Sequence, residues 1–424
     1  MAEPEQDDCP AIWLRDWALS GAMALTGRRE GPPLAAPGRS ATLARQELTR
    51  LAAAVQKRTD RRPELPTTSV LSERAAISGL SRRGPWSCGG SFRALPTADG
   101  WVGLSLARPP DLELVPALVE EEVLDPWRSV AGWALSVTTS EAVARIELLG
   151  LPGAAVPVGA APASSRAPVE SRTIGRRRRL PERPLVIDLT SLWAGPLCGH
   201  LVGLGGADVV KVESITRPDG ARLGPAQFYD LLHAGHRAVA LDFASEAGRE
   251  ALLDLMSRAD LVLEASRPRA LAHLGIVAED VVASGTSWLS ITARGRDSNT
   301  VGFGDDVAVG AGLFVMDRGE VLPCGDAIAD PLTGVVAGRA AAESFLSLDA
   351  RLIDVSMHDV CLSAAVPSPA TSWSRTAQVA AVPDERGGWQ VDTGAEWVTV
   401  ATPMARQPLT HAAPLGMHSP RDVA

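Results

Sequence analysis

Lysine is nearly missing from this chain: among 424 residues it occurs only at Lys57 and Lys211, and the other basic residues are arginine. The bias points to genomic composition more than to function. Arginine is nevertheless the side chain that grips phosphates bidentately, so a nucleotide-like ligand stays open. A net charge of −9 argues against broad nucleic-acid binding, which needs a basic face to displace counterions. No run of about 18 uninterrupted apolar residues is present, so no membrane span is expected. The acidic opening MAEPEQDDCP lacks the apolar core of a secretory signal. The five cysteines (Cys9, Cys88, Cys198, Cys324, Cys361) show no CxxC spacing, which points to neither a disulfide framework nor a zinc site. Both standard mononucleotide fingerprints, GxGxxG and GxxxxGK(S/T), are missing too. What is left is a globular, cytoplasmic protein, long enough for two or three domains, with 46% hydrophobic residues to fill their cores.

The clearest break is the Pro-, Ala-, Ser- and Arg-rich stretch 152–183, which has no apolar period and reads as an exposed linker. Its run Arg176–Arg179 reads as solvated, with an acidic partner as the less favoured reading. Residues 1–151 before it read as a smaller α+β part. The spacing predicts a helix over 41–57, a hairpin over 91–106 turning at Asp99-Gly100, and a helix over 139–149 capped by Thr139 or Ser140. From 184 to 424 strands and helices alternate. LVIDL (185–189), a helix over 197–204 and ADVVKV (207–212) make one βαβ unit. Further strands are expected at 239–242, 261–264 and 288–292, with a helix capped by Ser245 between the first two. This rhythm predicts an α/β domain with a doubly wound, Rossmann-like parallel sheet and its ligand at the carboxyl ends of the strands.

Three stretches could carry chemistry. In SLWAGPLCG (191–199) Gly195 allows close backbone approach at a helix start, although a tight structural turn is the plainer reading. In HAGHRAVALDF (233–243) His233, His236 and Arg237 precede a strand; phosphate contact or a surface loop is favoured over a metal site. In GDAIADPLTG, Asp330 before Pro331 has the chemistry of a helix N-cap with proline at N1. The same geometry would hold a carboxylate ionised at the positive end of the helix, ready to attack a thioester. Asp305 and Asp306 upstream would suit proton transfer or a helix cap.

The ordered set LVIDLTSLWAGPLCGHLVGLGGADVVKVES, HAGHRAVALDFASEAGREALLDLMSRADLVLEASRPRALAHLGI, SWLSITARG, GDDVAVGAG, IADPLTG and LIDVSMHDV resembles the family III CoA-transferases, the CaiB/BaiF type, over about 184–365. The resemblance implies that Asp330 is the catalytic aspartate. It implies that CoA, a substrate moiety and not a permanently bound cofactor, lies near Trp193, Ala194, Gly195, Glu264, Ala265, Ser266, Arg267, Thr292 and Arg294. It also implies acyl-CoA and carboxylic acid substrates, no metal, and a homodimer. Ala265-Ser266 stands in place of the family's common Asn-Phe pair, and ITARG in place of its Ile-Ser-Gly-Phe-Gly loop. The N-terminal part resembles a degenerate second half of the family placed ahead of an intact first half. WALSGAMALTGRREGPPLAAPG (17–38) is similar to the segment before the catalytic Asp, and SGAMALTG and GAGLFVMD read as relics of one repeat. The activity implied is CoA transfer between an acyl-CoA and an acid through a covalent aspartyl intermediate. A 2-methylacyl-CoA racemase and a non-catalytic CoA-binding relative are the alternatives.

Overall fold

The computed structural model describes residues 9–158, 164, 166–177, 179–266, 271–365 and 379–423. Its centre is a seven-stranded sheet in the order Val169–Arg176, Asp349–Ser356, Ser287–Thr292, Leu261–Glu264, Leu185–Asp188, Asp208–Ser214, Arg237–Leu241. Six strands run parallel, and Val169–Arg176 joins one edge antiparallel. The inner strands are short, apolar runs buried on both faces, as a parallel sheet covered by crossover helices requires. Helices Ala194–Leu204 and Ala329–Ser344 cover one face, their Leu197, Leu201 and Val335 packing in one core with Val186, Leu263 and Leu289. Helices Glu246–Arg258 and Ala278–Ala283 cover the other, where Leu252, Leu255 and Val282 meet Ile187, Val210 and Trp288. From strand 185–188 the chain winds outward to 208–214 and 237–241, then returns to 261–264 on the opposite side. The strand order therefore reverses between 185–188 and 261–264, and a doubly wound sheet opens its ligand crevice at that reversal.

The N-terminal part does not stand apart as expected. Helix Ser40–Thr59 lies on helix Ala329–Ser344 as a third layer, so Trp17, Met23, Leu43, Leu51 and Leu71 share a core with Leu197 and Leu332. A separate core lies farther along, where Leu95, Val102, Leu104, Leu118 and Ile146 close a three-stranded sheet (Phe92–Pro96, Trp101–Ser105, Gly153–Ala155) against small helices. Helix Thr139–Leu149 is capped by Thr138, one residue before the expected cap, because Thr138 and Glu141 exchange bonds with each other's backbone. Next to the first stretch read as a relic of a repeat, Arg28 pairs with Asp317 at the end of the second, and within the first Thr26 accepts the Gly325 N–H at 2.9 Å.

The 152–183 stretch is also less of a linker than its composition predicts. It supplies strand Gly153–Ala155 and edge strand Val169–Arg176. Arg177 is buried, not solvated; its guanidinium donates to the carbonyls of Ser344, Ser347 and Asp260 and to the Ser287 hydroxyl. Four oxygens from distant segments surround this one guanidinium, which composition alone cannot foresee. At the other end, residues 379–423 wrap the molecule: Ala401 bonds to Ala18, Ala412 bridges Ala234, and Val423 enters the core beside Val239.

Candidate active site

Helix Ala329–Ser344 begins two residues earlier than expected, with Ile328 as its cap and Asp330 inside the first turn. Asp330 donates its own N–H to Ala327 at 2.9 Å, and Ala327 holds a left-handed φ of 42° to make that bend. Helix 329–344 can sit close to helix 194–204 because Gly334 and Gly338 present no side chains there. A Cβ at Gly334 would come within 2.7 Å of the Ala194 carbonyl. Asp330 remains partly exposed at the surface of this packing.

Three further carboxylates converge on Asp330. Asp305 and Asp306 come from helix Gly304–Gly310, and Asp326 from the loop before helix 329–344. Each is buried and has fixed donors. Asp305 accepts the Ala327 N–H at 3.1 Å. Asp306 accepts the Ser105 hydroxyl at 2.7 Å and the Phe303 N–H, so it caps its own helix. Asp326 is held at 2.9 and 2.6 Å by the fork of Arg74. Asp330 accepts from the Gly304 N–H, whose residue must be glycine at this distance: a Cβ there would lie 2.5 Å from Asp330 Oδ2 and 2.3 Å from the Ala327 carbonyl.

The helix dipole was expected to keep Asp330 ionised. Burial outweighs it: desolvation pushes the Asp330 carboxyl up to about 7, with Arg74 pulling it down and Asp326 pushing it up. Asp305 and Asp306 are likewise pushed to about 7, chiefly by burial. The result is a carboxyl poised between its two protonation states near neutrality.

Arg74 and Ser105 belong to the N-terminal part, in which no catalytic cluster was foreseen. Arg74 sits in the short helix Glu73–Ser78, stacks its guanidinium 4.7 Å from the centre of the Trp193 indole, and is 31% exposed. The preceding Glu73 is buried and pinned at 2.6 and 3.0 Å by Arg406, which also donates to Nε2 of a neutral, buried His200. No spacing rule marks these residues, because SERAAISGL carries no motif and its partners lie far along the chain.

The residues expected near CoA fall at the ends of three adjacent strands, on either side of the strand-order reversal. Trp193, Ala194 and Gly195 follow strand 185–188. Gly195 is needed for packing, since a Cβ would meet the Thr190 side chain at 2.2 Å, and the Trp193 ring is buried edge-on to Phe228. Glu264, Ala265 and Ser266 end strand 261–264. Glu264 points inward, bonded by the hydroxyls of Ser266 and Ser290, while Ala265 and Ser266 are exposed. Arg267 lies outside the described residues. After strand 287–292, Thr292 donates to Asp354 and accepts from the Gly295 N–H, and Arg294 is half-buried beside Gly310.

His233 and His236 are buried rather than set on a surface loop. His233 stacks on Tyr229 with ring centres 4.3 Å apart, and burial pushes the His236 imidazole down to about 3.

Residues 184–406 match the model of CoA-transferase family III. The chain belongs to that family. A family III match over this stretch leaves Arg74 and Ser105 outside it. The chain is 38% identical over 92 residues to a succinyl-CoA:mesaconate CoA-transferase of Haloarcula hispanica, covering 19% of this chain and 22% of that one. It is 28% identical over 200 residues to a succinate–glutarate CoA-transferase of Agrobacterium fabrum, covering 41% and 50%. A solved CaiB/BaiF family protein from Brucella suis aligns at 23% identity with a TM-score of 0.43, over 49% of this chain and 64% of that one. The chain spans about half or less of the length of the curated relatives it matches. Among the described residues, no helix is long and apolar enough to cross a membrane.

Proposed function

We propose that this chain transfers CoA between an acyl-CoA thioester and a carboxylic acid, with Asp330 as the nucleophile. The observation that carries the reading is the contrast within the carboxylate cluster: Asp305, Asp306 and Asp326 are buried and tied to fixed donors, whereas Asp330 alone among them is a half-buried residue. An Asp330 oxygen would attack the donor carbonyl carbon, the C–S bond would break, and CoA would leave as thiolate with the acyl group on Asp330 as a mixed anhydride. Attack of the thiolate on the Asp330 side-chain carbon releases the donor acid and leaves an aspartyl-CoA thioester. The acceptor carboxylate then attacks that same carbon and expels the thiolate, which takes the acceptor acyl group and returns Asp330 as a free carboxylate. The Gly304 N–H is placed to meet the negative charge that develops on the Asp330 side chain.

Crevice residues Trp193 to Gly195, Glu264 to Ser266, Thr292 and Arg294 are proposed to flank the CoA, and a homodimer as the working assembly. Trapping tests the chemistry. The protein is incubated with a panel of acyl-CoAs and quenched with hydroxylamine or borohydride, and the modified peptide is read by mass spectrometry. Modification at Asp330 is expected, as is loss of exchange by about a thousandfold or more in Asp330→Ala. No adduct across the panel sinks the proposal. So does solvent deuterium entering the acyl α-carbon without exchange between acids, the outcome expected of a racemase.

A further inference from the structure

Loop 292–296 leaves the carboxyl end of strand 287–292, beside strand 261–264 and the reversal of strand order. It is held from the neighbouring strand by one carboxylate. Asp354 accepts the Thr292 hydroxyl at 2.9 Å on Oδ1 and the Arg296 N–H at 2.8 Å on Oδ2, and Thr292 accepts the Gly295 N–H at 2.8 Å. The Ala293 carbonyl takes the His358 N–H at 3.1 Å. The same loop borders the carboxylate helix. A Cβ at Gly302 would lie 3.0 Å from the Ala293 Cβ and 3.5 Å from Asp306 Oδ2, two residues before the Gly304 that touches Asp330.

A cation from ahead of the family match sits on this loop. Arg166 donates from Nη2 to Asp354 Oδ2 at 2.9 Å and to Glu170 Oε2 at 2.7 Å. Its Nε is 4.0 Å from Asp359 Oδ2, and its Nη1 is 3.8 Å from Asp297 Oδ2. The guanidinium fills the space that a side chain at 295 would claim: a Cβ on Gly295 would stand 2.6 Å from its Cζ and 2.7 and 2.8 Å from its two terminal nitrogens. Gly295, at a φ of 95°, turns the loop beneath it.

We propose that Arg166 is a positioning residue for crevice loop 292–296, seated against Gly295 and anchored on Asp354 so that the loop meets CoA already in its binding geometry. The proposal rests on the crevice being the CoA site, and it assigns a task to a residue outside the family match. Its physical logic is preorganisation. A loop whose amides and hydroxyl converge on one anchored carboxylate loses less freedom when a ligand binds. The Arg166 charge also balances the buried Asp354 and Asp359, which would otherwise repel a polyanion approaching this end of the sheet.

Two measurements test it without turnover. Calorimetric titration with CoA reads the crevice, and amide hydrogen exchange of the peptide carrying Gly295 and Arg296 reads the loop with no ligand present. In Arg166→Met both amides should exchange faster and CoA should bind about tenfold more weakly. Steady-state CoA transfer should then show a raised KM with kcat nearly kept. Arg166→Lys should recover most of the affinity, because both hydrogen bonds of Arg166 to Asp354 and Glu170 leave from one nitrogen, which an ammonium can replace. Unchanged amide exchange in Arg166→Met overturns the proposal. So does a loosened loop whose CoA affinity equals that of the wild type, and so does a wild type that binds no CoA. An affinity that falls as described while acyl-CoA leaves no adduct on Asp330 refutes the transfer chemistry and supports the role of Arg166.

Discussion

Gly304 lies against the Asp330 carboxylate so closely that a single added methyl would stand 2.5 Å from its Oδ2. The same methyl would press on the Ala327 carbonyl at 2.3 Å, and backbone on that side cannot yield as a flexible side chain would. Gly304→Ala is therefore expected to shift the first turn of helix 329–344. The cost is about 1–3 kcal/mol of stability, and a misplaced nucleophile should lose activity about a hundredfold. Denaturant melts and steady-state rates check both; wild-type behaviour in each would show that the contact is loose.

Stability should depend on pH through the same cluster. In the unfolded chain Asp305 and Asp306 ionise near 3.8, and in the folded protein they keep their protons to about 7. Between those values the folded state binds more protons, so this contribution is full below about 3.8 and is lost as pH rises through about 7. The melting temperature should fall from pH 5 to 7.5, and fall less steeply in Asp305→Asn. Parallel slopes for the two proteins would contradict the assignment.

Ser105 ties the N-terminal sheet to helix 304–310 through its 2.7 Å bond to Asp306. Ser105→Ala removes the side-chain hydroxyl from that buried carboxyl and leaves it to backbone N–H donors such as that of Phe303. It should cost about 1–3 kcal/mol, measured by urea denaturation. A loss of only a few tenths would mean that water replaces the hydroxyl without penalty.

Lys211 is fully buried between Asp188 and Asp219, with Nζ 3.1 Å from Asp219 Oδ2 and 3.8 Å from Asp188 Oδ2. Burial works against its charge, and the surrounding carboxylates outweigh it. Lys211→Met would leave two buried acids uncompensated and should destabilise by about 3–5 kcal/mol. Adding Asp188→Asn should restore part of that loss; a double variant no more stable than the single one would show that the pair is not coupled.

Much of the α/β layer was legible because its signals are local. The run LVLE bounded a strand at 261–264, Ser245 capped helix 246–258 through the Gly248 N–H, and Asp99-Gly100 turned the hairpin. Ordered motifs singled out Asp330, but they did not foresee its place two residues past the helix cap, a shift within the usual uncertainty of helix ends. What escaped was everything set by distant partners. Arg177 looked like one member of a solvated run until four oxygens from three other segments surrounded it. Arg74 and Ser105 gained meaning only when the N-terminal part closed on helices that follow it in the chain.

The Arg74–Asp326 clasp joins residues 252 positions apart. During synthesis at about 5–20 residues per second, the first partner waits roughly 10–50 s for the second to leave the ribosome. Helix 40–59 waits as long for helix 329–344, with Leu43, Leu48 and Leu51 uncovered in the interval. The molecule therefore carries an uncovered apolar helix face until residues 329–344 emerge, and a truncation upstream of residue 326 would strand that face for a chaperone or a protease to find.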